Sequence, residues 1–264
     1  MLDIKAVAFV ATCFLAFSAA SSSRAQQPLE APLEELRSWT LAKGDLVASP
    51  TQPFAYGLRL EIAMLRGTRW SPGVILDTVK RAAPILAQCG IRIDSAQLHE
   101  FTGPRRYRYL STPDSREFAR RAGLRKPAVF FVDDTRMEPA FEAEAIGRAN
   151  ARARPEMTDT VWITRETRDL PVALAHELVH VLANSGNHSS LPGNLMREQT
   201  TPFNTKLVRE QCSAIVAAAQ ANGLLDRLPP SEGKRPSRAP PARVSDGVPR
   251  EYSGTPNTAT SSRK

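Results

Sequence analysis

Three of the four histidines in this 264-residue chain fall within thirteen residues. They are His176, His180 and His188, and Glu177 directly follows the first of them. Two imidazoles four residues apart lie on one face of a helix, one turn apart, so both can reach the same metal ion. Neutral imidazole is a usual ligand of zinc, and a third protein ligand leaves the fourth coordination position to water. The spacing therefore predicts a Zn²⁺ site with these three histidines as ligands.

A carboxylate beside such a site can act as a general base. Zinc lowers the pKa of a bound water toward ~7, and a nearby carboxylate takes its proton as the water attacks a carbonyl. The short His-Glu-x-x-His pattern can occur by chance in a solvated helix. Here the residues around it, from Val172 to Leu182, are otherwise almost all apolar. Histidines that interrupt an apolar helix favour a functional site, with Glu177 as the catalytic residue.

The segment around the histidines resembles the metzincin family of zinc endopeptidases. The usual signature of that family is His-Glu-x-x-His-x-x-Gly-x-x-His, followed by a tight turn with a methionine beneath the metal. Residues 188–196, His-Ser-Ser-Leu-Pro-Gly-Asn-Leu-Met, are most similar to the matrixin branch. Ala183 stands where the family has its glycine and Gly186 where it has its third histidine, so His188 comes two residues late. The resemblance is strong over about 176–196 and only topological elsewhere.

The resemblance implies a fold and a set of supporting residues. The fold is α+β, with a twisted, mostly parallel sheet, an antiparallel edge strand, an active-site helix, a methionine turn and a C-terminal helix. Met196 would form the floor of the site without binding the metal. Asn194 can hold the turn through its side chain. The main rival of His188 as third ligand is Glu198, because the gluzincin branch takes a carboxylate from further along the chain.

Hydrophobic periodicity and breaker residues predict the other elements. Leu33–Leu41 has helical spacing, whereas 141–149 fits either a helix or the edge strand. Pro84 is expected to kink or split its helix, and the metal-site helix should end at Asn184 or Gly186. Strands are predicted around 54–66, 91–98, 127–132 and 161–164. Helices are predicted around 71–90, 112–123, 169–184 and 204–225, and the last of them is expected to start at Asn204 or Thr205 and to end near Gly223. Asp169 or Thr167 is expected to cap the metal-site helix.

The chain divides into four parts by composition. Residues 1–25 are predicted to be a signal peptide, because their apolar run of about fifteen residues is shorter than the ~20 of a spanning helix. Residues 26–52 form an N-terminal segment and 53–228 the peptidase domain. Residues 229–264, rich in Pro, Ser and Arg, are expected to be disordered. The protein is therefore expected to be secreted or periplasmic, with no membrane association after signal cleavage.

The net charge of +8 does not indicate a nucleic-acid partner. Residues 229–264 carry seven Lys or Arg and three Asp or Glu, which gives +4, and residues 1–25 add +1, so +3 remains for the middle of the chain. Nucleic-acid binding usually requires basic residues clustered on one face of the protein. Outside the signal, the cysteines are Cys89 and Cys212, and a pair in an exported chain favours one disulfide.

Two functions remain open from the sequence. One is an exported zinc metalloendopeptidase, monomeric, acting on protein or peptide substrates. The other is a non-catalytic, zinc-containing binding or scaffold protein of the same fold. Glu177 favours the first, because a purely structural site needs no base and is normally closed by a fourth protein ligand.

Overall fold

The computed structural model describes residues 31–46, 53–135, 145–148 and 155–229. The predicted signal peptide, and the predicted tail apart from Pro229, lie outside the described residues. The strands are β1 (Glu34–Ala42), β2 (Tyr56–Leu65), β3 (Ile91–Thr102), β4 (Tyr109–Leu110), β5 (Ala128–Phe131), β6 (Asp134–Thr135), β7 (Ala145–Arg148), β8 (Thr160–Ile163) and β9 (Asp226–Arg227). The α-helices are α1 (Pro72–Ala87), α2 (Thr112–Ala122), α3 (Leu170–Ala183) and α4 (Arg209–Ala221). Within the described part of the chain, no helix is long and apolar enough to cross a membrane.

The main sheet has the strand order β1-β3-β2-β5-β8-β7. Strands β3, β2, β5 and β8 run parallel to one another, whereas β1 and β7 are antiparallel to their neighbours at the two edges. Strand β9 pairs with the beginning of β2. A mostly parallel sheet is what the resemblance implies. The ambiguous segment 141–149 contributes the edge strand β7.

Helices cover both faces of this sheet. Successive residues of a strand point to opposite faces. In β2, Leu58, Leu60 and Ile62 pack in the core shared with α1, α3 and α4, whereas Ala63 and Leu65 pack in the core shared with α2. Every residue of α3 from Val172 to Leu182 is buried. The helix that carries two of the histidines is therefore held rigidly in the core.

The prediction of a helix from the spacing of Leu33–Leu41 is wrong. This stretch is strand β1, which pairs with β3 over its length and buries Leu41. Pairing with a strand some sixty residues away decides its conformation, because tertiary contacts override weak local preferences. Part of the segment 26–52 is thus an edge strand of the same sheet.

Two helices also differ from expectation. Helix α1 is not split at Pro84, since buried residues on both sides of the proline pack into one core. Helix α4 begins at Arg209, later than the predicted start at Asn204 or Thr205, and ends at Ala221, close to the stop expected near Gly223. Gly223 takes a left-handed backbone (φ 69°), and the following Leu224 and Leu225 turn back into the core.

The predicted disulfide is present between Cys89 and Cys212. It joins the residues that follow α1 to the first turn of α4 and bridges a separation of 123 residues. A cross-link stabilises a fold mainly by restricting the unfolded chain, and the effect grows with the length of the loop it closes. This bond therefore fixes α4 against the body of the domain.

Replacing both Cys89 and Cys212 with alanine should lower the free energy of unfolding by on the order of 4 kcal/mol. Urea unfolding of the metal-free protein would measure the change. Wild-type protein in a strong reductant is the matched control and should shift by a similar amount. Unchanged stability in both samples would show that the bond contributes nothing to the fold.

Candidate metal site

Helix α3 begins and ends at residues with left-handed backbones. Asp169 occupies the N-cap position, but its side chain makes no capping hydrogen bond, and Pro171 lies in the first turn. Asn184 adopts φ 48° and ψ 44° at the C-cap, so the helix ends at one of the two predicted positions. The chain then turns away from the helix axis, which allows the residues after Asn184 to return to the histidines.

The structure brings the three predicted ligands together. His176 and His180 are 2% and 8% exposed, respectively, and His188 is exposed. One ring nitrogen from each lies within 4.8 Å of the others, so the three can hold a metal ion. The two-residue delay of His188 relative to the metzincin signature is absorbed in the loop after Asn184 and does not carry it away from the other two histidines.

Backbone carbonyls fix which nitrogen of each buried imidazole carries the hydrogen. His176 Nδ1 lies 2.8 Å from the carbonyl oxygen of Leu195, and His180 Nδ1 lies 2.7 Å from that of Ser185. A carbonyl oxygen only accepts, so each Nδ1 donates, and each Nε2 keeps a lone pair. The two Nε2 atoms are 2.9 Å apart. Two lone pairs at this distance repel each other and are suited to a shared cation.

Burial keeps these imidazoles neutral. Burial is the largest cause that lowers the pKa of His176, the hydrogen bond to Leu195 opposes it, and the neighbouring histidines add to the lowering, so that the pKa is about 4. Burial also lowers the pKa of His180. Metal binding requires deprotonated ligands. At neutral pH, neither buried histidine has to lose a proton before it binds a metal ion.

The segment after the third histidine is closed by a tight turn. The backbone N–H of Ser189 donates to the carbonyl of Met196 at 2.7 Å. The side-chain oxygen of Asn194 accepts from the N–H of Met196 at 2.9 Å, so Asn194 holds the turn as predicted. Met196 is 4% exposed. Its place as the floor of a metal site stays a prediction.

The two glutamates singled out by the sequence have different environments. Glu177 lies on α3 beside His176 and is 8% exposed. Glu198 is exposed and lines a cleft of about 490 Å³ together with His188, Ser190 and Arg197. The group of side chains positioned to hold a metal consists of the three histidines, without Glu198. The catalytic role of Glu177 stays a prediction.

The fourth histidine, His99, contacts neighbouring strands of the main sheet. His99 is buried, with Nε2 2.7 Å from a carboxylate oxygen of Glu61 and Nδ1 3.1 Å from one of Glu35. These residues lie on β3, β2 and β1. The contact joins three neighbouring strands, so His99 has a structural role in the sheet.

Sequence reasoning missed the groups behind the ligands. The carbonyls of Leu195 and Ser185 are backbone groups, so the residue types at these positions do not indicate that they contact the histidines. Gln211, the third residue of α4, hydrogen-bonds Asn194. Its only sequence signal is a glutamine near a helix start, a position where such side chains often cap the helix.

No protein-family model and no curated protein matches the chain. Among solved structures, the crystal structure of metalloproteinase-II from Bacteroides fragilis is similar, with 16% sequence identity and a TM-score of 0.47. The similarity covers 66% of this chain and 57% of that one, so the chain spans little more than half of that protein. At this level of similarity, a function has to be argued from the residues of the site itself.

Proposed function

We propose that the protein is an exported zinc-dependent endopeptidase of the metzincin type. The observation that carries the proposal is the convergence of three imidazoles, two of which have their Nδ1 atoms bonded to carbonyls and their Nε2 atoms turned toward each other. A site with three protein ligands leaves one coordination position open, which is typical of catalytic rather than structural zinc.

The donor set fits zinc. Zn–N bonds are about 2.0–2.1 Å, so the nitrogens of a tetrahedral site lie ~3.3 Å apart. The two buried Nε2 atoms are 2.9 Å apart, and all three ligand atoms lie within 4.8 Å. Neutral imidazoles suit zinc, whereas magnesium and calcium prefer oxygen ligands. Zinc held by His176, His180 and His188 would supply a Lewis acid and a water of lowered pKa.

Glu177 is the proposed general base. It follows His176 on a helix that the core holds rigid, so its carboxylate keeps a fixed relation to the ligands. It would accept the proton of the attacking water and then donate it to the leaving amine nitrogen. The same side chain thus serves both proton transfers of peptide hydrolysis.

The substrate is proposed to be a protein or peptide in an extended conformation. Strand β7 ends the strand order of the described sheet, so one side of its backbone is unpaired there. An extended peptide can add to such an edge through main-chain hydrogen bonds, while pockets select its side chains. The cleft beside His188 would receive one of those side chains.

Export and a monomeric state belong to the same proposal. The predicted signal peptide supports export to the periplasm or the exterior. The bond between Cys89 and Cys212 agrees with it, because disulfides persist in oxidising compartments. No nucleic-acid partner is proposed.

Casein digestion by the mature protein tests this function. The protein should cleave casein, lose the activity with a zinc chelator and regain it when zinc, but not magnesium, is added back. A protein that binds zinc and leaves casein and a peptide library intact would instead support the scaffold alternative.

A further inference from the structure

The turn that contains Leu195 is supported by a side chain from α4. Asn194 Nδ2 donates to Gln211 Oε1 at 2.8 Å, and Gln211 Nε2 donates back to Asn194 Oδ1 at 3.1 Å. Asn194 is 1% exposed. The two amides therefore form a closed pair, with Asn194 buried and Gln211 half-buried.

Two backbone N–H groups fix the orientation of this amide pair. The N–H of Met196 donates to Asn194 Oδ1 at 2.9 Å, and the N–H of Val208 donates to Gln211 Oε1 at 3.0 Å. An N–H can only donate, so both of these side-chain atoms must be oxygens. Only one arrangement of the two amides satisfies every bond.

The amide pair controls a carbonyl that contacts a metal ligand. Leu195 lies between Asn194 and Met196, and its carbonyl accepts from His176 Nδ1 at 2.8 Å. On its other side, the N–H of Leu195 donates to the carbonyl of Lys206 at 2.7 Å. The position of this carbonyl is therefore set by Asn194 and by the residues just before α4.

The other end of the support is anchored to Gln88, the residue that follows α1. The side chain of Gln88 donates to the carbonyl of Thr205 at 2.7 Å and accepts from the N–H of Leu207 at 3.2 Å. The disulfide holds Cys212, the residue after Gln211. Gln211 is thus held in a fixed position, and its side chain can fix the position of the turn.

We infer that Gln211 is a positioning residue for the metal site. It holds Asn194, which places the Leu195 carbonyl, which in turn fixes the tautomer and the orientation of His176. Mutation of a partner that hydrogen-bonds a metal-ligating histidine typically lowers metal affinity by about 10–100-fold. The inference rests on the metal site of the proposed function and does not require peptidase activity.

Metal affinity of three variants tests this role. Gln211→Ala should weaken zinc binding by about tenfold, at the lower end of the usual range because it acts through a second residue. Gln211→Glu keeps the acceptor oxygen and loses the donor, so its affinity should fall between those of wild type and Gln211→Ala. Gln220→Ala, an exposed position on the same helix, is the matched control and should bind like wild type. Zinc competition with a coloured chelator gives the affinities, and the visible absorption of bound cobalt should change in Gln211→Ala and stay that of the wild type in Gln220→Ala.

A merely structural role would give a different result. If Gln211→Ala lowers the melting temperature of the metal-free protein but binds zinc as tightly as Gln220→Ala, the inference is wrong. If Gln211→Ala does not fold, wild-type affinity in Gln211→Glu overturns it. If the variants differ in zinc affinity as expected but the wild type does not cleave casein, the proposed endopeptidase function is wrong and the role of Gln211 stands. If all variants bind zinc equally and the wild type cleaves casein, the role of Gln211 is wrong and the proposed function stands.

Discussion

Glu177→Gln is expected to abolish most peptide hydrolysis and to leave the zinc content and the fold intact. Glutamine has nearly the same shape as glutamate but cannot take up the proton of an attacking water. Loss of a general base costs about 10²–10⁴-fold in rate. Glu177 is 8% exposed, and a neutral amide is less costly to bury than a carboxylate. Initial rates on a fluorogenic peptide, zinc content and unfolding curves would check each part.

Glu198→Gln is the matched control for this variant. It makes the same change of charge at an exposed residue that lines the cleft beside His188. Its rate should fall far less than that of Glu177→Gln, because Glu198 lies outside the histidine group and could contact only a side chain of the substrate. An equal loss of activity in both variants would mean that negative charge near the cleft matters and that Glu177 is not a specific base.

His188→Ala is expected to weaken zinc binding by roughly 10²–10³-fold. Structural zinc sites bind with about 10–16 kcal/mol in total, so one of four ligands accounts for roughly 2.5–4 kcal/mol. His188 is the exposed member of the three, and its removal leaves no cavity in the core. Competition with a chelator at fixed pH measures the affinity, and unfolding of the metal-free variant should match the wild type.

Glu198→Ala separates the two candidate third ligands. In the gluzincin arrangement, the third ligand is a glutamate from a second helix. Residues 184–208 are all described in this structure, and none of them is helical. Glu198→Ala should therefore bind zinc as the wild type does. Strong loss in this variant, with normal affinity in His188→Ala, would overturn the proposal of a metzincin-type site.

Local signals explain the parts of the site that the sequence could predict. The four-residue spacing of His176 and His180 needs only helix geometry. The end of α3 at Asn184 follows from the tolerance of asparagine for left-handed backbone. The alternation of Leu58, Leu60 and Ile62 identified β2 in the same way.

Long-range contacts explain what the sequence could not predict. In β1 the less exposed residues are Leu36, Trp39 and Leu41, and a register shift between Glu35 and Arg37 breaks the strict alternation of a strand. The spacing of these apolar residues therefore resembles that of a helix until β3 is present beside it. The amide pair of Asn194 and Gln211 depends on where α4 begins in space. The carbonyls that orient His176 and His180 are backbone groups, and the path of the loop decides which residues supply them. The residue types therefore do not identify them.

The most direct test of the whole account compares zinc-loaded wild type and Glu177→Gln on casein, with zinc measured in the same samples. We expect equal zinc content in the two proteins and a rate lower by at least about 10²-fold in the variant. Equal cleavage by both proteins, or a wild type that carries its zinc and leaves casein intact, would contradict the proposed active site.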